Sequence, residues 1–197
     1  TGGMGAFSPV PDVSAAVLDE IEARIATPIV RALAERGTPY RGFLFAGLML
    51  TDAGPQVIEF NCRFGDPEAQ VLFARWQGDL VAAIEAAMAG EVSRAELAWD
   101  TRPAVCVVLA SGGYPGPYRT GLPIDGLDAA QAEPDTLIFH AGTRLEGDRI
   151  VTAGGRVLSV VGRGESLAQA ARRAYAAAAQ IHWDGVFYRR DIAAAAR

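Results

Sequence analysis

Apolar residues recur along the chain with two different spacings, and each spacing predicts its own kind of element. Between residues 11 and 36 they follow the period of a helix, with Ser14 as the N-cap and Gly37 just past the end. Pro28 lies inside this helix and should kink or divide it. The apolar positions on its face are Val17, Leu18, Ile21, Ile25, Ile29 and Leu33.

Shorter apolar runs predict strands at 43–50 and 56–61, and the turn residues between them predict an antiparallel hairpin. Two helices are expected next, at 67–76 and 79–89, and Gly90 closes the second. The continuous apolar run at 103–110 predicts a strand. The remaining expected elements are strands near 136–140, 149–152 and 156–162, and a helix capped by Ser166 that runs to about Gln180.

A polar segment at 91–102 has no strong period, and we place a domain boundary there. Residues 1–98 then mix helices with the hairpin, whereas residues 99–197 form a smaller unit of strands and one long helix. The expected fold class is therefore α+β, with two domains.

The predicted strand that ends near residue 63 carries the main candidate chemistry. Side chains alternate along a strand, so Glu59, Asn61 and Arg63 should share one face. A carboxylate and an amide oxygen suit Mg²⁺, which keeps waters and phosphate oxygens as further ligands. A guanidinium can grip a phosphate or carboxylate with two hydrogen bonds. The opposite face is apolar and is expected to be buried; it holds Ile58, Phe60 and Cys62.

These three polar residues alone would favour a half-exposed surface strand that ends in a salt bridge. The turn that follows, residues 65–68, adds two carboxylates and favours a metal and phosphate site. Asp66 could accept hydrogen bonds from a substrate amine, or it could cap a helix that begins at Pro67. Both roles remain open at this point.

Composition excludes several classes of function. The formal net charge of −5 argues against a nucleic-acid surface. No apolar run approaches the roughly 20 residues that span a bilayer. Two cysteines do not make a disulfide framework, and both Cys62 and Cys106 lie in apolar runs that predict small buried thiols. We expect no nucleic-acid or membrane partner, and a cytoplasmic enzyme fits.

Several stretches of the chain resemble, in order, the phosphoribosylamine–glycine ligase family of the ATP-grasp superfamily. The stretch at 57–68 resembles its metal-binding strand and the loop that follows, and residues 1–9 resemble its glycine-rich loop. Residues 42–49 resemble the strand paired with the metal strand. Further similar stretches lie at 112–121, 139–143, 154–158 and 181–184.

The resemblance implies a set of site residues and ligands. Glu59 and Asn61 would bind Mg²⁺ or Mn²⁺, and Arg63 and Asp66 would act in catalysis. ATP, as a substrate, would contact four residues, namely Gly2, Gly3, Met4 and Leu48. The fold would be the C-terminal lobe of an ATP-grasp fold (1–98) followed by a smaller α+β domain (99–197).

The implied reaction is the ATP-dependent ligation of glycine to 5-phosphoribosylamine in purine biosynthesis. All eighteen basic residues are arginines, so none of the lysines that generally hold nucleotide phosphates in such ligases comes from this chain. We therefore expect this chain to be the C-terminal half of a larger enzyme, with the N-terminal half as its partner. The alternatives are another ATP-grasp carboxylate–amine ligase and a non-catalytic binding or assembly fragment.

Overall fold

The computed structural model describes residues 3–194, in which helices and strands are mixed along the chain. Its strands are β1 (Gly5–Ser8), β2 (Phe45–Thr51), β3 (Gly54–Asn61), β4 (Ala104–Ala110), β5 (Thr136–His140), β6 (Thr143–Glu146), β7 (Arg149–Thr152) and β8 (Arg156–Arg163). Its helices are α1 (Ala15–Ile21), α2 (Thr27–Glu35), α3 (Glu68–Arg75), α4 (Leu80–Ala89), α5 (Leu127–Gln131) and α6 (Leu167–Ala178). A π-helical segment, Glu22–Ala26, joins α1 to α2, and Val92–Arg94 forms a 3₁₀ turn.

Contacts divide the chain into two units. The first, which we call the sheet unit, contains the segment up to residue 9, residues 66–76 and the chain from residue 100 onward. The second, the hairpin unit, contains residues 10–65 and 77–99. The division into domains at residues 98 and 99 stays a prediction, because units drawn from contacts need not coincide with domains of a fold.

The sheet unit is built around β4, every residue of which is buried. The sheet has the order β1-β4-β8-β5 and all its pairings are antiparallel. Alternate side chains of β4 enter different cores: Val107 and Leu109 pack in one, and Cys106 and Val108 pack with Val71 of α3 in another. Since both faces of β4 are covered, its sequence is apolar without alternation.

Helix α6 packs on the sheet through alanines, which let its backbone come close. Ser166 caps it, since the Ser166 side chain accepts a hydrogen bond from the Gln169 amide at 3.2 Å. On β8, a Cβ at Gly162 would lie 2.3 Å from the Ala170 carbonyl oxygen, so only glycine fits under the helix. The buried alanines of α6 are Ala170, Ala171, Ala174, Ala177 and Ala178.

In the hairpin unit, the predicted helix at 11–36 is divided as Pro28 requires. Proline lacks the amide hydrogen that would continue the helical ladder. The chain widens into the π-helical segment just before it, and the Thr27 amide donates to the Glu22 carbonyl five residues back. Ser14 caps α1 at Ala15, so the expectation that residues 11–14 are helical is wrong.

Strands β2 and β3 form the predicted antiparallel hairpin. Its register shifts once, because Gly47 pairs with Glu59 whereas Leu48 pairs with Val57, which leaves Ile58 as the extra residue of a bulge. The prediction that the apolar face of β3 is buried is wrong: Ile58 is 63% exposed and Cys62 is exposed too. The bulge interrupts the alternation at Ile58, whereas Cys62 lies beyond it, past the end of β3.

Three short elements were not expected, namely β1, β6 and α5. Apart from the helix predicted at 11–36, which begins at Ala15, the predicted strands and helices are present, and their ends differ by at most two residues. The mixture of helices and strands confirms the α+β class. Among residues 3–194, no helix combines the length and apolar character that crossing a bilayer requires.

Candidate functional site

On β3 and just beyond it, three polar side chains lie in a row, as alternation predicts. The Asn61 Nδ2 donates to Glu59 Oε1 at 3.0 Å, and the Arg63 Nη2 approaches Asn61 Oδ1 at 3.5 Å. The Arg63 Nη1 also donates to the Phe64 carbonyl at 2.8 Å. Opposite Glu59 stands Gly47, where a Cβ would lie 3.3 Å from Glu59 Cγ, so glycine leaves room for the carboxylate.

The donor set of this row suits a hard divalent cation. Glu59 offers carboxylate oxygens and Asn61 an amide oxygen, and these are the ligand types that Mg²⁺ prefers. In the described part of the chain no group of three or more His, Cys, Asp or Glu residues is placed to hold a metal. An ion held here would therefore depend on water and phosphate oxygens for its other ligands, which is usual for Mg²⁺ with nucleotides.

Asp66, in the sheet unit, is held by two other side chains. Its Oδ2 forms an ion pair with Arg156 Nη2 at 2.9 Å, and its Oδ1 accepts a hydrogen bond from Gln70 Nε2 at 3.0 Å. The N-cap position of α3 is Pro67, with no side-chain hydrogen bond to the helix, and the first helical residue is Glu68. The alternative role of Asp66 as a helix cap is therefore wrong.

The predicted glycine-rich loop belongs to the sheet unit and leads into β1. Gly2 lies outside the described residues. Gly3 has a positive φ of 78°, and its carbonyl accepts a hydrogen bond from Arg156 Nη1 at 3.0 Å. The Met4 side chain is buried in the core beside α3, and its carbonyl accepts from the Val108 amide at 3.1 Å. The Met4 side chain is therefore a core residue, and its contact with a nucleotide stays a prediction.

The remaining predicted nucleotide contact, Leu48, lies in the hairpin unit. It is half-buried on β2, beside the bulge, and pairs with Val57. The predicted site residues thus form two groups, each within its own unit. The hairpin unit holds Leu48, Glu59, Asn61 and Arg63, and the sheet unit holds Gly3, Met4 and Asp66.

A cavity of about 470 Å³ is found in the sheet unit beside the glycine-rich stretch at 112–116. Its lining includes Tyr118, Arg119 and Asp184, and the last two form an ion pair. A Cβ at Gly112 would lie 2.8 Å from the Gly185 carbonyl oxygen, so the two loops touch through their backbones. The stretch at 112–116 therefore shapes a cavity as well as making a turn.

The structure adds residues that sequence reasoning missed. Arg156, described above, touches both Gly3 and Asp66, which are 153 and 90 positions away. No local pattern signals such a contact; in the sequence Arg156 is marked only by its place directly after two glycines.

A second group, at the start of β4, was also missed. Hydrogen bonds from the Arg102 side chain and amide lower the pKa of the buried Asp100 carboxyl to about 2. Arg102 reaches Asp135 as well, at 3.2 Å, and Arg173 holds Asp135 at 2.8 Å. These ion pairs lie at the end of the sheet where β4 and β5 begin, and they connect that end to α6, which indicates a structural role.

The two thiols differ sharply. Cys106 is fully buried on β4, and burial raises its pKa to about 12, which excludes it as a nucleophile at neutral pH. Cys62 is exposed at the end of β3, so the prediction of two buried thiols is correct for Cys106 and wrong for Cys62.

Comparison with known proteins places this geometry in a family. The model of the phosphoribosylglycinamide synthetase ATP-grasp (A) domain matches residues 1–69, and that of the C domain of the same synthetase matches residues 104–195. The phosphoribosylamine–glycine ligase of Pseudomonas syringae pv. tomato is 53% identical over 193 residues, which are 98% of this chain and 44% of that protein. The chain thus spans about half the length of the curated relatives that it matches.

Solved structures agree. The crystal structure of phosphoribosylamine–glycine ligase from Thermotoga maritima superposes with a TM-score of 0.84 at 37% identity, over 98% of this chain and 46% of that one. N5-carboxyaminoimidazole ribonucleotide synthetase from the same organism shares the fold alone, with a TM-score of 0.61 at 17% identity over 91% and 45% of the two chains. With both family models in sequence order and the polar row on β3, the chain belongs to the phosphoribosylamine–glycine ligase family of ATP-grasp enzymes.

Proposed function

We propose that the full-length protein that carries this chain ligates glycine to 5-phosphoribosylamine at the expense of ATP. The products are glycinamide ribonucleotide, ADP and phosphate, and the reaction belongs to purine biosynthesis in the cytoplasm. The observation that carries the proposal is the row of Glu59, Asn61 and Arg63 on one face of β3, in a chain of this family. The partners are small molecules and the N-terminal half of the same enzyme; no nucleic acid or membrane is involved.

Glu59 and Asn61 would hold the divalent cation, Mg²⁺ or Mn²⁺, through one carboxylate and one amide oxygen. When bound, such an ion neutralises charge on the phosphates and so assists attack on the γ-phosphate. In the structure the Asn61 amide nitrogen faces Glu59. Binding would therefore require the amide to turn so that its oxygen faces the ion.

Arg63 is the third residue of the row and would bind an anionic group of a substrate or of the intermediate. Its exposed guanidinium lies beside Asn61, so it can reach a phosphate or the carboxyl group of glycine as that group becomes phosphorylated. Asp66 would accept hydrogen bonds from the amine of phosphoribosylamine. Gly3 and Leu48 would contact ATP, together with Gly2 and Met4.

This reaction needs no covalent enzyme intermediate. The glycine carboxylate attacks the γ-phosphate, and the amine then displaces phosphate from glycyl phosphate. Positioning and charge neutralisation supply most of the catalysis. The chain accordingly offers oxygen ligands and guanidinium groups, and one of its two thiols is fully buried.

The test is Glu59→Gln in the full-length enzyme, which removes one ligand charge and keeps the side chain's shape. We expect kcat/KM for MgATP to fall by at least about 100-fold, because even the loss of a group that merely supports a metal ligand costs up to that factor. ADP release is measured with glycine and phosphoribosylamine over a range of Mg²⁺ concentrations, and far-ultraviolet circular dichroism checks the fold.

The matched control is Asp52→Asn, an exposed carboxylate in the turn of the same hairpin, which should leave turnover unchanged. Near-normal turnover by Glu59→Gln at ordinary Mg²⁺ would remove Glu59 from the metal site. Replacing glycine by other small carboxylates tests the substrate: a strong preference for another one would assign a different ligase reaction.

A further inference from the structure

One guanidinium, that of Arg156, joins two segments that the sequence marks for function. Its Nη1 donates to the Gly3 carbonyl at 3.0 Å and to the Asp66 carbonyl at 2.8 Å, while its Nη2 pairs with the Asp66 carboxylate at 2.9 Å. The Arg156 guanidinium therefore binds both the glycine-rich loop and the turn that follows β3. All three residues lie in the sheet unit.

Two side chains fix the orientation of the Asp66 carboxylate, yet this carboxylate remains accessible to a ligand. Arg156 holds one carboxylate oxygen and Gln70 holds the other. The Asp66 side chain is nevertheless 46% exposed, whereas that of Arg156 is 28% exposed. A carboxylate accepts about four hydrogen bonds, so these contacts fix its direction and leave acceptor sites for a ligand.

Arg156 is itself held rigidly. Its carbonyl accepts from the Gly142 amide at 3.0 Å, and a Cβ at Gly142 would lie 2.6 Å from that oxygen. Its neighbour Gly155 packs under the Tyr114 ring, which a Cβ would meet at 2.3 Å. At the other end, a Cβ at Gly3 would lie 2.8 Å from Arg156 Nη1. Gly3 thus leaves room for the guanidinium itself, while Gly142 and Gly155 allow close packing around the backbone of Arg156 and its neighbour.

We propose that Arg156 is a positioning residue for the amine substrate, acting through Asp66. It fixes the direction of the Asp66 carboxylate so that this group accepts hydrogen bonds from the attacking amine of a phosphorylated sugar. The inference rests on the proposed function and adds to it a residue that no motif assigned. A purely structural role for Arg156 would use the same contacts. The test must therefore distinguish an effect on the kinetics with one substrate from a general effect on stability.

The test uses Arg156→Lys, Asp66→Asn and the double variant in the full-length enzyme. Lysine keeps the charge but cannot hold the Asp66 carboxylate and two carbonyls from one planar group. We expect Arg156→Lys to lower kcat/KM for phosphoribosylamine by about 100-fold, which is the scale for misplacing a catalytic group by about 1 Å. The KM for glycine should stay within about twofold, because the proposed role of Asp66 concerns the amine alone; the KM for ATP does not discriminate, since Arg156 also donates to Gly3 of the proposed nucleotide loop.

For kcat/KM of phosphoribosylamine, the double variant should be no worse than Asp66→Asn alone, because in this proposal Arg156 affects the amine through Asp66. Arg149→Ala is the matched control: this exposed arginine of the sheet unit pairs with Asp125 and should leave all constants unchanged. Additive losses, equal losses for phosphoribosylamine and glycine, or wild-type kinetics in Arg156→Lys would overturn the proposal. A wild-type enzyme that shows no glycine-dependent ADP release would instead refute the proposed function.

Discussion

The pKa of the buried Asp100 carboxyl is set mainly by one neighbour, Arg102. Two hydrogen bonds from the Arg102 guanidinium and one from its amide stabilise the ionised carboxylate more than burial opposes it. The pKa of Asp100 consequently falls from 3.8 to about 2. A side chain in a segment that looked like a polar linker is thus an anchor of the sheet unit.

This shift predicts a loss of stability in acid. The unfolded chain binds a proton at Asp100 near pH 3.8 and the folded chain only near pH 2, so the contribution of Asp100 is complete above about pH 4 and is lost as the pH falls toward 2. Urea unfolding of the purified chain and of Asp100→Asn at pH 7, 4 and 3 measures this. The difference between the two free energies of unfolding should shrink as the pH falls. A difference for Asp100→Asn that stays constant with pH would contradict the assignment.

At the scale of elements, the sequence predicted the features that depend only on residues close together in the chain. The run at 103–110, the capping serines Ser14 and Ser166 and the break at Pro28 all act within a few residues, and all are found. Strand β1 was missed because it has only four residues and follows a glycine-rich loop. It becomes a strand only by pairing with β4, with Gly5 opposite Val107, and that partner is about a hundred residues away.

In the candidate site, too, the local arrangement was predicted and the contacts between distant residues were not. Alternation along one strand predicted that Glu59, Asn61 and Arg63 share a face, and they do. It could not foresee the bulge at Ile58, which depends on the register with β2, nor the contact of Arg156 with Asp66, which depends on the folding of the sheet unit. Whether these residues act as proposed remains a prediction.

Substitutions in the core between β4 and α6 should destabilise the fold most. Leu109 of β4 is fully buried in this core. Leu109→Ala should therefore lower the free energy of unfolding by about 2–5 kcal/mol, through lost burial and the cavity left behind. Leu145→Ala on β6 is the control, since this side chain is 71% exposed and should cost less than about 0.5 kcal/mol. Urea unfolding of both variants measures the two costs. Equal costs would mean that Leu109 is not in a packed core.

At the scale of the whole molecule, the chain spans about half the length of its relatives and contains no lysine. The proposed metal ligands alone bind a nucleotide poorly, because Mg²⁺ in such sites is held largely through the phosphates. We therefore expect residues 1–197 alone to release little ADP with glycine and phosphoribosylamine. Turnover should rise when the N-terminal half is supplied as a second polypeptide. Robust substrate-dependent turnover by the isolated chain would show that its own residues form the complete nucleotide site.

The contrast between the two thiols has a practical consequence. Cys106 is sealed in the sheet and stays protonated, whereas Cys62 is exposed next to Asn61. A thiol-directed fluorophore would thus attach at one position in the native chain, without any engineered cysteine. The dye would report from the edge of the proposed metal site, so nucleotide and metal titrations could be followed by its emission.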